Sequence, residues 1–363
     1  MSENLFHNPH LKFDAKVPSG KVGWQSPSNI ALVKYWGKKE VQIPCNPSLS
    51  FTLSESKTQT LLEYKPSNET ENNVRFFLEG EEKNSFTEKI KIWFDSLEPI
   101  FPFIKQLDFI IHSKNSFPHS AGIASSASGM SALALCLCSM EKKHFGFSGS
   151  DGDFFKKASY VARLGSGSAA RSLFGGVVSW GEIENLPGTS NLWGSAQTAN
   201  IHPDFLSFHD SIIIVDAAQK KVSSRIGHGL MNSNPFAETR FKQAKSNIPE
   251  LINAMKRGNM DKFINITESE ALTLHAMMMT SNPYYLLLKP NTLNIIERVF
   301  EYRKQTGNPV AFTLDAGPNI HLLYPDAVKS DIHKFIDSEL KQFAFQSMVI
   351  QDRVGQGPEK LSI

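Results

Sequence analysis

Gly165-Ser166-Gly167-Ser168-Ala169-Ala170-Arg171-Ser172 formally spells G-x-G-x-x-A, the dinucleotide-binding fingerprint, and Glu184 follows at a suitable distance. That fingerprint works only when a strand feeds the glycines, so that a helix N-terminus can face the pyrophosphate. Here the preceding residues have helical spacing, with Phe154, Phe155, Ala158, Val161 and Ala162 on one face. A helix entering the glycines excludes the doubly wound dinucleotide fold. What remains is a hydroxyl-rich loop with an arginine, suited to phosphate or carboxylate, or else a plain turn beside a surface arginine.

Outward from this loop, the chain mixes strand and helix patterns irregularly. Ile30 to Val33, Ser48 to Leu53, Leu107 to His112, Gly175 to Trp180, Ser211 to Ala217 and Val310 to Leu314 read as strands. Residues 85–97 read as an amphipathic helix whose face carries Phe86, Ile90, Trp93, Phe94 and Leu97. Further helical patterns run over 237–256, 260–279 and 291–305, and the tail after Gln351 reads as loosely structured. The irregular alternation predicts α+β rather than a regular parallel α/β sheet. At 363 residues, two lobes are expected, since one core stops growing at roughly 250–300 residues. The small polar stretch 185–209, with Pro187, Gly188 and Pro203, marks the boundary, giving lobes over 1–205 and 206–363.

Four more segments carry possible chemistry. Pro118 to Gly129 is a Gly/Ser loop between a strand and a helix, where small residues and a helix N-terminus suit a phosphate. It is no Walker loop, because no Gly-Lys-Ser/Thr follows the glycines, and close helix packing would use the same residues. Lys34-Tyr35-Trp36-Gly37-Lys38-Lys39 offers cations among aromatics, or a solvated basic turn. Lys220-Lys221-Val222-Ser223-Ser224-Arg225 suits polyphosphate, or is a basic surface loop. Asp315-Ala316-Gly317-Pro318-Asn319 ends a strand in a tight turn that gives the Asp315 carboxylate a defined place. Two Gly/Ser loops, two cationic segments and one carboxylate suit phosphoryl transfer, which is mostly positioning and charge stabilisation.

Composition excludes other classes. A net charge of +2 gives no basic stripe for nucleic acid. No G-x-S-x-G elbow and no H-E-x-x-H zinc spacing occur. The three cysteines are odd in number, and Cys136-x-Cys138 in an apolar run reads as packing rather than disulfide or zinc ligation. The polar N-terminus lacks a signal-peptide core, and no run reaches the ~20 apolar residues of a membrane helix. A cytoplasmic protein is the expectation.

The order of these motifs resembles the mevalonate diphosphate decarboxylase family of the GHMP kinase superfamily. Asn29 to Lys38 is similar to its N-terminal signature, 118–129 to the superfamily phosphate loop, and Gly165 to Gly176 to its G-S-G-S-A-x-R-S-L-x-G-G segment. Lys220 to Arg225 resembles a K-K-x-S-S-R stretch, and Asp315 to Asn319 the D-A-G-P-N block. The resemblance implies a lobe like ribosomal protein S5 followed by a ferredoxin-like lobe, with the site between them. It implies phosphorylation of the 3-hydroxyl of mevalonate 5-diphosphate by ATP with Mg2+, then loss of phosphate and CO2 to give isopentenyl diphosphate. Asp315 would face the 3-hydroxyl, with Arg171 on the substrate carboxylate and Lys34 near the transferring charge. Tyr35, Lys38, Ser166, Ser168, Ser224 and Arg225 would hold the rest of the substrate. Ser120, Gly122, Ala124, Ser125, Ser126 and Lys221 would bind ATP. Metal ligands and the adenine pocket are unassigned, and a homodimer is common in the family.

Acidity limits Asp315. A free aspartate has a pKa of ~3.9 and an alcohol one near ~15.7, a gap on the order of 16 kcal/mol. Asp315 therefore orients the hydroxyl and accepts its proton as the P–O bond forms. Asn46-Pro47-Ser48 departs from the Asn-Ser-Ser common in the family, as do Lys39-Glu40 and Ala170, which puts fine specificity in question. Two rivals stand beside the decarboxylase: a relative that uses mevalonate 5-phosphate or only phosphorylates the 3-position, and a non-catalytic ligand-binding paralogue.

Overall fold

The computed structural model describes residues 5–14, 16–67, 73–118, 123–218 and 224–363, with the backbone alone for Glu40, Ser224 and Arg225. In chain order the strands are β1 (Gly20–Val33), β2 (Lys38–Lys39), β3 (Ile43–Pro44), β4 (Ser48–Pro66), β5 (Val74–Leu78), β6 (Glu81–Glu82), β7 (Leu107–Asn115), β8 (Val177–Trp180), β9 (Gly194–Ala196), β10 (His209–Ile213), β11 (Ala311–Thr313), β12 (Ile320–Tyr324), β13 (Val349–Arg353) and β14 (Glu359–Lys360). The helices are α1 (Asn84–Ser96), α2 (Ser125–His144), α3 (Asp151–Gly165), α4 (Pro203–Leu206), α5 (Ser224–Leu230), α6 (Ala237–Lys256), α7 (Met260–Met279), α8 (Pro290–Thr306) and α9 (Lys329–Phe335). No helix among the described residues is long and apolar enough to cross a membrane.

The architecture is α+β in two lobes. The first is a mixed sheet in the order β14-β1-β4-β7-β5-β6, with β8 and β9 extending from β4. Its core packs around α2, which is buried on nearly every side from Ala127 to Glu141. Small hydroxyls let α2 approach the sheet closely: Ser131 meets Ser26 at 2.5 Å and Ser128 meets Thr58 at 2.6 Å. Cys136 and Cys138 are buried in this helix and unbridged. The helix α3 does precede Gly165, and a Ser150–Asp153 capping box starts it.

The second sheet is wholly antiparallel, in the order β11-β12-β10-β13. Read along the chain it is β, helices, β, β, helix, β, with its two central strands from the first and third positions. That is the ferredoxin-like arrangement. The strand expected over Ser211 to Ala217 runs instead over His209–Ile213, although Ile214 stays buried. It stops because the Asn319 side chain takes over the ladder, accepting from the N–H of Val215 at 2.8 Å and of Asp216 at 3.0 Å.

Two differences from the sequence reading have tertiary causes. The strand expected at Ser48 to Leu53 continues to Pro66, where Thr58, Thr60, Leu62 and Tyr64 alternate inward. The tail after Gln351 is ordered, not loose: β13 joins the second sheet and β14 pairs with β1 in the first. Between Pro27, opposite Lys57, and Asn29, opposite Thr52, the β1–β4 register shifts and leaves residues 53–56 unpaired with β1. Asp352 fills this bulge. Its carboxylate accepts the N–H groups of Ser54, Glu55 and Ser56, each at 2.8 Å. We expect Asp352→Ala to strand these amides and lower stability by about 2–4 kcal/mol, read as a lower urea midpoint at constant m-value.

Candidate active site

The site forms where β1 ends against the second lobe. Lys34 is 1% exposed, and its backbone is held from the other lobe. Its N–H donates to Glu270 Oε2 at 2.9 Å, while its carbonyl accepts from Arg240 Nη2 at 3.2 Å and Asn46 Nδ2 at 2.9 Å. Arg240 on α6 and Glu270 on α7 form a bidentate pair at 2.9 and 2.5 Å, fully buried, with Asn247 donating to Glu270 Oε1 at 2.7 Å. The second lobe therefore dictates where the Lys34 side chain points.

It points at Asp315. Lys34 Nζ lies 3.1 Å from Asp315 Oδ1, and the Asp315 side chain keeps 28% exposure. Burial pushes the Lys34 pKa down, opposed by Asp315 and Glu270. The Asp315 turn is itself braced. Its carbonyl is 3.1 Å from His275 Nε2 and accepts from the Gly317 N–H at 2.7 Å. Thr292 Oγ1 holds the Pro318 carbonyl at 2.8 Å.

Arg171 lies in the same electrostatic neighbourhood. Burial lowers its pKa to about 10, and the nearby Asp315 charge opposes the shift. Among the described residues its hydrogen-bond partners are neutral: Asn29 Oδ1 at 3.1 and 3.3 Å, Ser50 Oγ at 3.1 Å and Ser48 Oγ at 2.6 Å. A buried guanidinium whose hydrogen-bond partners are all dipoles is chemically suited to a carboxylate or phosphate. Asn29, just past the β1 bulge, bonds Arg171. In the Asn46-Pro47-Ser48 departure, Asn46 and Ser48 both serve the site through the bonds just described.

Hydroxyls line the approach. Ser126 Oγ, at the start of α2, lies 3.4 Å from Ser166 Oγ, which lies 3.5 Å from Ser168 Oγ. Ala124 gives α2 no side-chain cap; the Ser125 N–H donates to the Ile123 carbonyl at 2.5 Å and the Ala127 N–H to the Ala124 carbonyl at 2.9 Å. The Tyr35 hydroxyl is buried with no hydrogen-bond partner among the described residues, and burial pushes its pKa up. Lys38 Nζ bonds Gln42 Oε1 at 3.1 Å. The structure thus brings together Lys34, Arg171 and Asp315, and groups Ser126, Ser166 and Ser168. Ala124 and Ser125 open α2 beside that row. Ser120, Gly122 and Lys221 lie outside the described residues, as do the side chains of Ser224 and Arg225.

Sequence reading missed Asn29, Ser48 and Ser50 as Arg171 ligands, although small hydroxyls alternate with Leu49, Phe51 and Leu53 along β4. It also missed the Arg240–Glu270 clamp, His275 and His228. The His228 ring is buried between Tyr35 and Trp36, with centroids 4.3 and 4.5 Å away, and its Nδ1 accepts the Gly37 N–H at 3.0 Å. No local pattern marks these residues, because each works through a partner far along the chain.

This fold and this cluster define a GHMP-type phosphoryl-transfer protein. Residues 26–191 match the family described as the diphosphomevalonate decarboxylase-like N-terminal domain, and 211–361 the mevalonate 5-diphosphate decarboxylase C-terminal domain. A diphosphomevalonate decarboxylase of Gibberella zeae is 31% identical over 83% of this chain and 80% of its own. The mevalonate diphosphate decarboxylase from Enterococcus faecalis superposes with a TM-score of 0.80 at 26% identity, covering 95% of this chain and all of that one (100%). A solved structure in complex with MVAPP, AMPPCP and magnesium gives a TM-score of 0.81 at 26% identity, with coverage of 95% and 100%. The chain belongs to the diphosphomevalonate decarboxylase family.

Two outcomes test this geometry. Glu270→Gln should leave the Arg240 charge uncompensated and cost about 3–5 kcal/mol of stability, measured by urea unfolding. Burial, with Lys38 nearby, lowers the His228 pKa to about 3. The unfolded chain, at ~6.5, then binds the extra proton. The His228 contribution is complete above about pH 6.5 and is lost as pH falls toward 3. Tm should therefore drop less on acidification in His228→Asn than in the wild type.

Proposed function

We propose that this protein catalyses the ATP-dependent decarboxylation of mevalonate 5-diphosphate to isopentenyl diphosphate, releasing ADP, phosphate and CO2. The observation that carries the reading is Arg171, a buried cation with neutral partners, beside the Lys34–Asp315 pair. Asp315 orients the 3-hydroxyl and accepts its proton as phosphoryl transfer proceeds. Lys34 holds Asp315 in place and adds positive charge where negative charge moves. Arg171 anchors the substrate carboxylate. Phosphate then leaves C3 with the electrons of the C3–O bond. The C–CO2 bond breaks toward C3, forming the double bond.

Tyr35, Lys38, Ser166 and Ser168, with Ser224 and Arg225, take the remainder of the substrate. The hydroxyl row and the uncapped start of α2 (Ala124, Ser125, Ser126) face the ATP phosphates, joined by Ser120, Gly122 and Lys221. In this reading residues 1–205 supply the nucleotide phosphate site, and 206–363 supply Asp315 and the clamp behind Lys34. Among the described residues no group of three or more His, Cys, Asp or Glu converges. Magnesium bound with ATP would supply charge neutralisation at the phosphates.

Incubation with ATP and each mevalonate ester, following CO2 and ADP, tests the proposal. CO2 from mevalonate 5-diphosphate is expected. CO2 from the 5-phosphate alone, or ADP without CO2, would move the protein to one of its relatives. Asp315→Asn should lower turnover by about 10²–10⁴-fold while ATP still binds, measured by rapid quench and nucleotide titration.

A further inference from the structure

The resemblance assigns nothing to His228, which lies in one segment of the proposed substrate pocket and touches another. It lies on α5, which opens with Ser224 and Arg225, and it is buried at 8% exposure. Its ring is wedged against Tyr35 and Trp36 with tilts of 34° and 37°. Its Nδ1 accepts the N–H of Gly37, whose φ of +92° sets the turn between Tyr35 and Lys38. The contact is close on the α5 side as well. A Cβ on Gly227 would lie 2.6 Å from Trp36 and 2.5 Å from Tyr285, so the helix can sit this near the turn only with glycine there.

We infer that His228 is a positioning residue for the phosphate end of the substrate, fastening the helix that carries Ser224 and Arg225 to the turn that carries Tyr35 and Lys38. The inference rests on the proposed reading of that pocket as the diphosphate site. Two features separate this role from that of an ordinary core histidine. An apolar side chain would fill the space between the two rings, but it would leave the buried Gly37 N–H without an acceptor. A protonated imidazole would present a donor to that N–H instead of an acceptor, so the contact requires the neutral ring. The tautomer follows from the bond: Nδ1 is bare and Nε2 carries the proton.

The binding energy for a diphosphate is then spread over two segments that are far apart in sequence and joined here. A residue acting this way changes how well the phosphate end is held. It has little purchase on the nucleotide, which docks at α2, or on the Lys34–Asp315 centre, which is set by Arg240 and Glu270.

Steady-state kinetics of three variants test this, varying mevalonate 5-diphosphate at saturating ATP and then the reverse. His228→Phe keeps a ring and loses the acceptor. His228→Asn places an oxygen near the Nδ1 position, whereas His228→Gln carries it too far out. In His228→Phe, KM for mevalonate 5-diphosphate should rise about tenfold, the factor one hydrogen bond of ordinary size represents, with KM for ATP moving by less than about twofold. His228→Asn should recover most of that loss and His228→Gln should not. If His228→Phe does not fold, the split between Asn and Gln carries the test. Equal KM values across folded variants, or equal rises for both substrates, would overturn the inference. A wild type inactive on mevalonate 5-diphosphate would instead sink the substrate reading, which separates the two failures.

Discussion

Everything in the site depends on one buried ion pair acting at a distance. Arg240 and Glu270 act through backbone. They grip the main chain of Lys34, and Glu270 accepts its N–H while Arg240 donates to its carbonyl. A buried ion pair contributes little net stability once desolvation is counted, but its geometry is exacting. That is its use here. It converts the packing of α6 against α7 into a fixed backbone position just past the end of β1, which belongs to the other lobe. Lys34 Nζ can then reach Asp315, whose own turn is braced by His275 and Thr292 from α7 and α8.

The charges follow a consistent plan. Glu270 and Arg240 cancel each other, and Lys34 and Asp315 form a second pair that remains partly open. Arg171 is left with dipoles from Asn29, Ser48 and Ser50. These orient the guanidinium without neutralising it, which suits the proposed role of Arg171 on the substrate carboxylate. The bulge in β1–β4 lies beside Asn29, an Arg171 partner, and leaves three amides that Asp352, from the last tenth of the chain, satisfies.

Much of the fold was legible from local pattern. The helices over 237–256, 260–279 and 291–305 appear within a residue or so of their expected bounds, because amphipathic spacing and the loops between them leave little choice. The rejection of the dinucleotide fold held because α3 precedes Gly165. The tail escaped detection, since residues such as Gln351 and Arg353 are exposed and its strands exist only by pairing with distant ones. In the site, Asp315 and Arg171 stood out through their motifs, whereas Glu270 lay inside an ordinary helical run and His228 in a stretch with no motif of its own.

The sequence by itself determined the α+β class, the family and the two charged residues at the centre of the proposed chemistry. These depend on composition, spacing and motif order, which are properties of the chain. Only the tertiary structure decided that Arg171 has neutral partners, that Lys34 meets Asp315, and that the second lobe sets the end of β1. Those facts join residues as far apart as Lys34 and Asp315. Hydrogen bonding and burial across such separations leave no periodic trace, because each partner satisfies its local helix or strand equally well without the other.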